Sequence, residues 1–287
     1  VADGAARSLL ATLLAACAFA GCRSLPPPPD HSDLDAEAAR RFVREQALAV
    51  KDFTAQVTLA VESPDFSGSL DGALVVEPPA RLRLRTTKMM QDVFDLVMTP
   101  QLLELYWFRD NILYRRTPAG LPPAAAALRA IEEQGRDTRA SAFLRTLDPA
   151  TFRASLSAFE LPAVDATPRS PWQERAATET FERTRGAFVV VDALESGGRL
   201  TRTFDGSSLL LRAARLDDVV GRPQIEASYG GYRPVGGLWL PSESKLVDHR
   251  FGVAFTMELS DVAVNEGALS GAFELHAPSD ATVREIE

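Results

Sequence analysis

The chain has 287 residues, a formal net charge of −8, 46% hydrophobic residues and two cysteines. That length can bury one large core, and the apolar content excludes intrinsic disorder for most of the chain. Two cysteines exclude a disulfide scaffold, and the acidic balance argues against a nucleic-acid partner, which would need a basic face.

Both cysteines fall within the first 22 residues. Arg7 precedes an apolar run from Leu9 to Gly21, interrupted by Thr12. The run is shorter than the roughly 20 apolar residues that span a bilayer. It has the form of a secretory signal, and Val1 reads as a translated start, so a precursor is expected. Phe19-Ala20-Gly21-Cys22 resembles the lipobox of bacterial lipoproteins, whose Cys is acylated and becomes the new N-terminus. Leu14-Ala15-Ala16-Cys17 resembles it too. Cys22 is preferred, because cleavage there leaves the stiff spacer Pro26 to Pro29. Residues 1–21 are then a signal and 22–33 a tether. By resemblance to Gram-negative sorting, Arg23 in place of Asp implies the periplasmic face of the outer membrane, held by acyl chains worth about 0.8 kcal/mol per buried methylene.

After the tether, Leu34 to Val50 is predicted to be an amphipathic helix, capped by Ser32 or Asp33. Leu34, Ala38, Phe42 and Leu48 form its apolar stripe. From Phe53 the period becomes two. Strands are predicted from Phe53 to Val61, Gly68 to Val76, Ala80 to Arg85, Asp92 to Met98, Leu102 to Phe108 and Ile112 to Arg116. Tight turns make neighbours antiparallel. Leu82 and Leu84 should point inward and Arg81, Arg83 and Arg85 outward. Leu121 to Gln134 is Ala-rich and helical, a second helix covers Ala140 to Leu147, and Pro162 to Pro171 is a loop. Further strands follow at Thr178 to Arg183, Gly186 to Leu194, Leu200 to Phe204, Leu209 to Leu216, Gln224 to Tyr229, Leu238 to Leu240, Glu243 to Asp248, Val253 to Leu259 and Leu269 to Leu275. The expected fold is mainly β (α+β): a half-open, curled antiparallel barrel with an N-terminal helix and a helical lid inserted at about 120–171. This domain covers 34–278, with a C-terminal tail over 279–287.

Motifs for catalysis are sparse. His31, His249 and His276 read as solvated residues of the tether, a turn and a strand end. No HExxH, GxSxG, P-loop or GxGxxG occurs. The expectation is a non-enzyme without metal or cofactor. Two strands are apolar on both faces, Val93 to Met98 and Leu102 to Phe108, so each should meet a second apolar surface besides the core. That surface is either a covering element or a ligand. Lys88-Met89-Met90-Gln91 marks a turn. One Met is expected to tuck into the core; the alternative is a flexible tip touching acyl chains or a bilayer.

Pro79-Ala80-Arg81-Leu82-Arg83-Leu84, Val93-Phe94-Asp95-Leu96, Leu103-Glu104-Leu105-Tyr106 and Asn111-Ile112-Leu113-Tyr114 resemble the lipoprotein-localisation (LolA/LolB-like) superfamily. Tyr229-Gly230-Gly231-Tyr232-Arg233, Gly237-Leu238-Trp239-Leu240-Pro241, Val262-Ala263-Val264-Asn265 and Phe273-Glu274-Leu275 are similar too, closest to its outer-membrane lipoprotein-sorting group. The resemblance implies a half-open barrel whose apolar concavity holds the acyl chains of a lipoprotein or another amphiphile, without catalysis. The candidate lining is Phe94, Leu96, Met98, Leu103, Leu105, Trp107, Leu128, Ile131 and Tyr229, and Met89 and Met90 form a candidate membrane or cargo contact. The alternative is a lipid-anchored structural lipoprotein that binds a periplasmic protein partner.

Overall fold

The computed structural model describes residues 25–64, 67–78, 81–116, 176–267 and 271–285. The signal, Cys17, Cys22, the predicted helices between 121 and 147, and with them Leu128 and Ile131, lie outside the described residues.

One helix, α1 (Ala36–Ala49), precedes the strands β1 (Phe53–Glu62), β2 (Ser67–Glu77), β3 (Arg81–Lys88), β4 (Gln91–Met98), β5 (Leu103–Trp107) and β6 (Ile112–Arg116). The second half carries β7 (Ala176–Arg183), β8 (Ala187–Leu194), β9 (Arg199–Asp205), β10 (Leu211–Asp217), β11 (Pro223–Gly230), β12 (Arg233–Val235), β13 (Leu238–Leu240), β14 (Glu243–Asp248), β15 (Val253–Val264) and β16 (Thr282–Glu285). Fourteen strands form one sheet in the order β16-β6-β5-β4-β3-β2-β1-β15-β14-β11-β10-β9-β8-β7, and β12 and β13 form a separate hairpin. The end strands β16 and β7 do not pair, so the sheet is open.

Alternation in sequence becomes rows in space. Ala55, Leu74, Leu84, Leu96, Leu105 and Tyr114 stand opposite one another across β1 to β6 and all point inward. A single cluster joins them to Phe188, Val190 and Phe204 from the far half. The sheet must curl for both halves to share one core, which hides its apolar face from water.

Two departures from expectation concern the C-terminus. The strand predicted from Leu269 to Leu275 is not formed over 271–275. Instead β16 pairs with β6, the one parallel pair among the described strands. Residues 271–281, which lead into β16, lie against the outer face of the first half. Arg83 Nη1 donates to Ala272 O, Arg81 lies over the Phe273 ring, and Asn111 Nδ2 donates to Asp280. On that outer face Val97, Tyr106 and Leu113 are buried outside the main core cluster. The two-faced apolarity of β4 and β5 therefore coincides with a covering arm on the outside and the core on the inside.

Arg81 and Arg85 face outward and are exposed, as the alternation predicts. Arg83 is half-buried and makes a two-pronged pair with Asp95, Nε at 3.0 Å and Nη2 at 2.7 Å.

Candidate functional site

The helix places the site. Asp35, not Ser32 or Asp33, caps α1, its carboxylate accepting from Ala38 N–H at 2.8 Å. The helix starts two residues later than predicted, and its buried stripe is not the expected one. Ala39 and Val43 are buried, Leu34 and Phe42 pack partly against the core, and Leu48 is 55% exposed. Val43, Gln46, Ala47 and Val50 then repeat at helical spacing along one face.

That face roofs a cavity of about 220 Å³. The other walls are Phe204 and Ser208 to Leu211 around the β9–β10 turn, Tyr232, and Gly237 to Leu240 of the β12–β13 hairpin; Pro29 and His31 of the tether complete it. The volume lies below the roughly 300–1,000 Å³ of drug-sized pockets, yet above the roughly 150 Å³ apolar cavity that takes benzene. It suits one slim apolar group.

The rim is built from local hydrogen bonds. Asp205 accepts from the Ser207 and Ser208 backbone N–H at 3.0 and 2.8 Å and from both hydroxyls, and it pairs with Arg212. Burial raises its carboxyl, but the hydrogen bonds from Ser208 and Ser207 outweigh this and hold it far below the usual carboxylate range. Tyr232 donates to Leu211 O, and burial pushes its phenol up. Gly231 has φ +61°, and a Cβ there would stand 2.3 Å from Ser242 Oγ, so only glycine turns the chain into the hairpin.

His31 is not a solvated tether residue. Its ring packs on Phe42 with centroids 4.1 Å apart, its backbone N–H donates to Ser207 O at 2.7 Å, and its backbone carbonyl accepts from Arg183 Nη2 at 2.7 Å. The tether is thereby fastened to the cavity mouth. His249 is exposed and contacts Glu226 at 2.8 Å; His276 is exposed.

The sequence candidates lie elsewhere. Phe94, Leu96, Met98, Leu103 and Leu105 are buried in the core cluster with Trp107 packed against it, and Tyr229 is buried in the same cluster; none lines this cavity. Met89 and Met90 are 90% and 97% exposed, so neither tucks into the core. Sequence reasoning missed the cavity because its walls come from four segments far apart in the chain, with no shared motif. Among the described residues no group of three or more His, Cys, Asp or Glu side chains is placed to hold a metal.

Under the N-terminal half of α1 lies a charged cluster. Arg40 and Arg44 both pair with Glu179 of β7, the latter at 3.1 Å, and Arg40 also stands over Phe181. These contacts lock the helix to the sheet edge.

No family model matches the sequence, and no curated protein matches it. Solved structures do match. A DUF1329 family protein from Desulfovibrio piger superposes with a TM-score of 0.55 at 9% identity, over 83% of this chain and 97% of the other. A domain described as an outer membrane lipoprotein-sorting protein domain, from Vibrio parahaemolyticus, gives 0.51 at 12% identity, over 84% and 97%. A LolA superfamily protein from Nitrosomonas europaea gives 0.48 at 10% identity, over 82% and 97%. The chain has a LolA/LolB-like fold: a large, curled, unclosed sheet with a helix laid inside it.

Proposed function

We propose that this protein is a lipoprotein of the cell envelope, anchored through Cys22 to the periplasmic face of the outer membrane, that binds an acyl chain of a lipoprotein or other amphiphile without catalysis. The observation that carries the reading is the apolar cavity beneath α1, whose mouth is framed by the tether that leads to Cys22. An acyl chain needs apolar surface and a shape that excludes water, and both are supplied by Phe42, Val43, Phe204 and Leu238. The lipoprotein-sorting description of the Vibrio domain is consistent with it.

The ligand site is accordingly shifted from Phe94 and Leu105 to the α1 cavity. A bulky side chain at Ala47, which lines it, should fill it. Titration of the full chain with a fluorescent acyl probe tests this. We expect saturable binding, weakened about tenfold by Ala47→Phe, a loss of about 1.4 kcal/mol. Equal affinity of both proteins overturns the cavity assignment. The anchor is tested separately by metabolic palmitate labelling, which Cys22→Ala should abolish.

Met89 and Met90 remain the candidate contact with membrane or cargo, since both side chains project into solvent at a hairpin tip. A protein partner is the second reading, favoured by the filled core behind Phe94 and Leu105. Crosslinking that recovers a protein, with no lipid on extraction, would establish it instead.

A further inference from the structure

Six residues other than glycine hold positive φ among the described residues. Met89, Met90, Asp261 and Asn265 are exposed and Asn111 is half-buried; Leu209, at φ 55°, is 4% exposed. Asn and Asp support this left-handed conformation with short polar side chains of their own, and leucine has no such group. Leu209 also lines the cavity. A strained backbone in the wall of a binding site points to a role for the side chain it carries.

The neighbouring residues show what the conformation does. Ser208, Leu209, Leu210 and Leu211 line the cavity one after another. An extended strand would present only alternate residues to one side, and the turn at Leu209 breaks that alternation. Asp205 fixes the turn. Its carbonyl accepts from Leu209 N–H at 3.1 Å, its N–H donates to Leu210 O at 2.8 Å, and its carboxylate accepts from Ser207 and Ser208 N–H. Burial separates the inner wall from the mouth. Val43, Val50, Phe204, Leu209, Leu211 and Leu240 are buried, whereas Pro29, Gln46 and Gly237 are exposed. The inner wall is thus apolar and offers a headgroup no polar side chain.

We propose that Leu209 is a stop that sets how much of an acyl chain the cavity accepts, the chain entering by its terminal methyl. This rests on the acyl-binding reading above. A roughly 150 Å³ apolar cavity takes the six carbons of benzene, so about 220 Å³ takes about eight to ten carbons. The ligand is an unbranched tail, and any carbons beyond that length stay at the mouth with the headgroup. There they add little affinity, because they remain in contact with water.

The test is a chain-length series, from octanoate to tetradecanoate, competing with a fluorescent acyl probe on the full chain held in amphipol. Partition into the amphipol is common to all proteins compared, so differences between them read the cavity. On the wild type, competition should strengthen about fourfold per methylene up to about ten carbons and then level off. Leu209→Ala and Leu209→Gly remove the stop. In both, the preference for tetradecanoate over decanoate should rise at least about tenfold. Leu209→Gly, free of the left-handed penalty, should melt above Leu209→Ala. A leucine that only fills the core would lower stability in both variants and leave the preference unchanged; that result overturns the proposal. If neither variant folds, the wild-type series still decides, since competition that strengthens steadily to tetradecanoate overturns the stop. Absence of probe binding to the wild type removes the acyl-binding reading itself.

Discussion

Met89 and Met90 hold φ of 50° and 65°, with Lys88 paired to Gln91 across a two-residue turn. Such turns favour Asn-Gly, because positive φ crowds any side chain with a Cβ. Met89→Asn/Met90→Gly should therefore stabilise the fold by roughly 1–2 kcal/mol in denaturant melts. If the tip touches membrane, the same change should weaken vesicle association. A gain in stability with unchanged association would separate the strain from the function. Gly72 tests the opposite case. It lies in an inward row between Val57 and Thr86, and a Cβ there would stand 2.3 Å from Arg85 O. Gly72→Ala should cost about 1–3 kcal/mol by overpacking. At this scale the sequence was a partial guide. Leu82 and Leu84 were placed correctly by alternation, but His31 was not, because its contacts to Phe42 and Ser207 depend on where the tether lands.

At the scale of elements, two attachments hold the cavity open. Glu179 accepts from both Arg40 and Arg44, and its side chain is almost wholly buried. Removing it loses the hydrogen bonds from both arginines, while Arg40 keeps Glu37 and Phe181, so Glu179→Ala should destabilise by about 1.5–3 kcal/mol. Hydrogen exchange should quicken in α1 before β1 to β6; uniform quickening would contradict a local attachment. The β9–β10 turn responds to acid. Because the Asp205 carboxyl is depressed in the folded state, its contribution is present above the unfolded value of about 3.9 and is lost as pH falls toward the folded value. Melts between about pH 4 and pH 2 should show a loss that is smaller in Asp205→Asn. Helix and strands were legible because their periods are local. The cap lies two or three residues beyond the expected one, since Ser32, Asp33 and Asp35 are all competent caps and local sequence does not choose among them. β16 has no strand signal in sequence, because four mostly exposed residues carry no pattern; pairing with β6 makes them a strand.

Over the whole molecule, one curled sheet packs the inward rows of β1 to β6 into a filled core and borders the cavity under α1 with β9, β10 and the β12–β13 hairpin. The sequence showed which strands are apolar on both faces, but not that the C-terminal arm covers one face of them. That arm pairs 272 with 83 and 280 with 111, separations no local pattern encodes. Ligand-lining and core residues also look alike in sequence, since both are apolar at the same spacing, and only closure of the sheet distinguishes them. The central claim, that the α1 cavity holds an acyl chain, is tested most directly by native mass spectrometry of the full chain purified from membranes. The account predicts a noncovalently retained acyl-bearing ligand on the wild type, and its loss from a folded Ala47→Phe variant. Ligand-free wild type, or equal retention by both proteins, would contradict it.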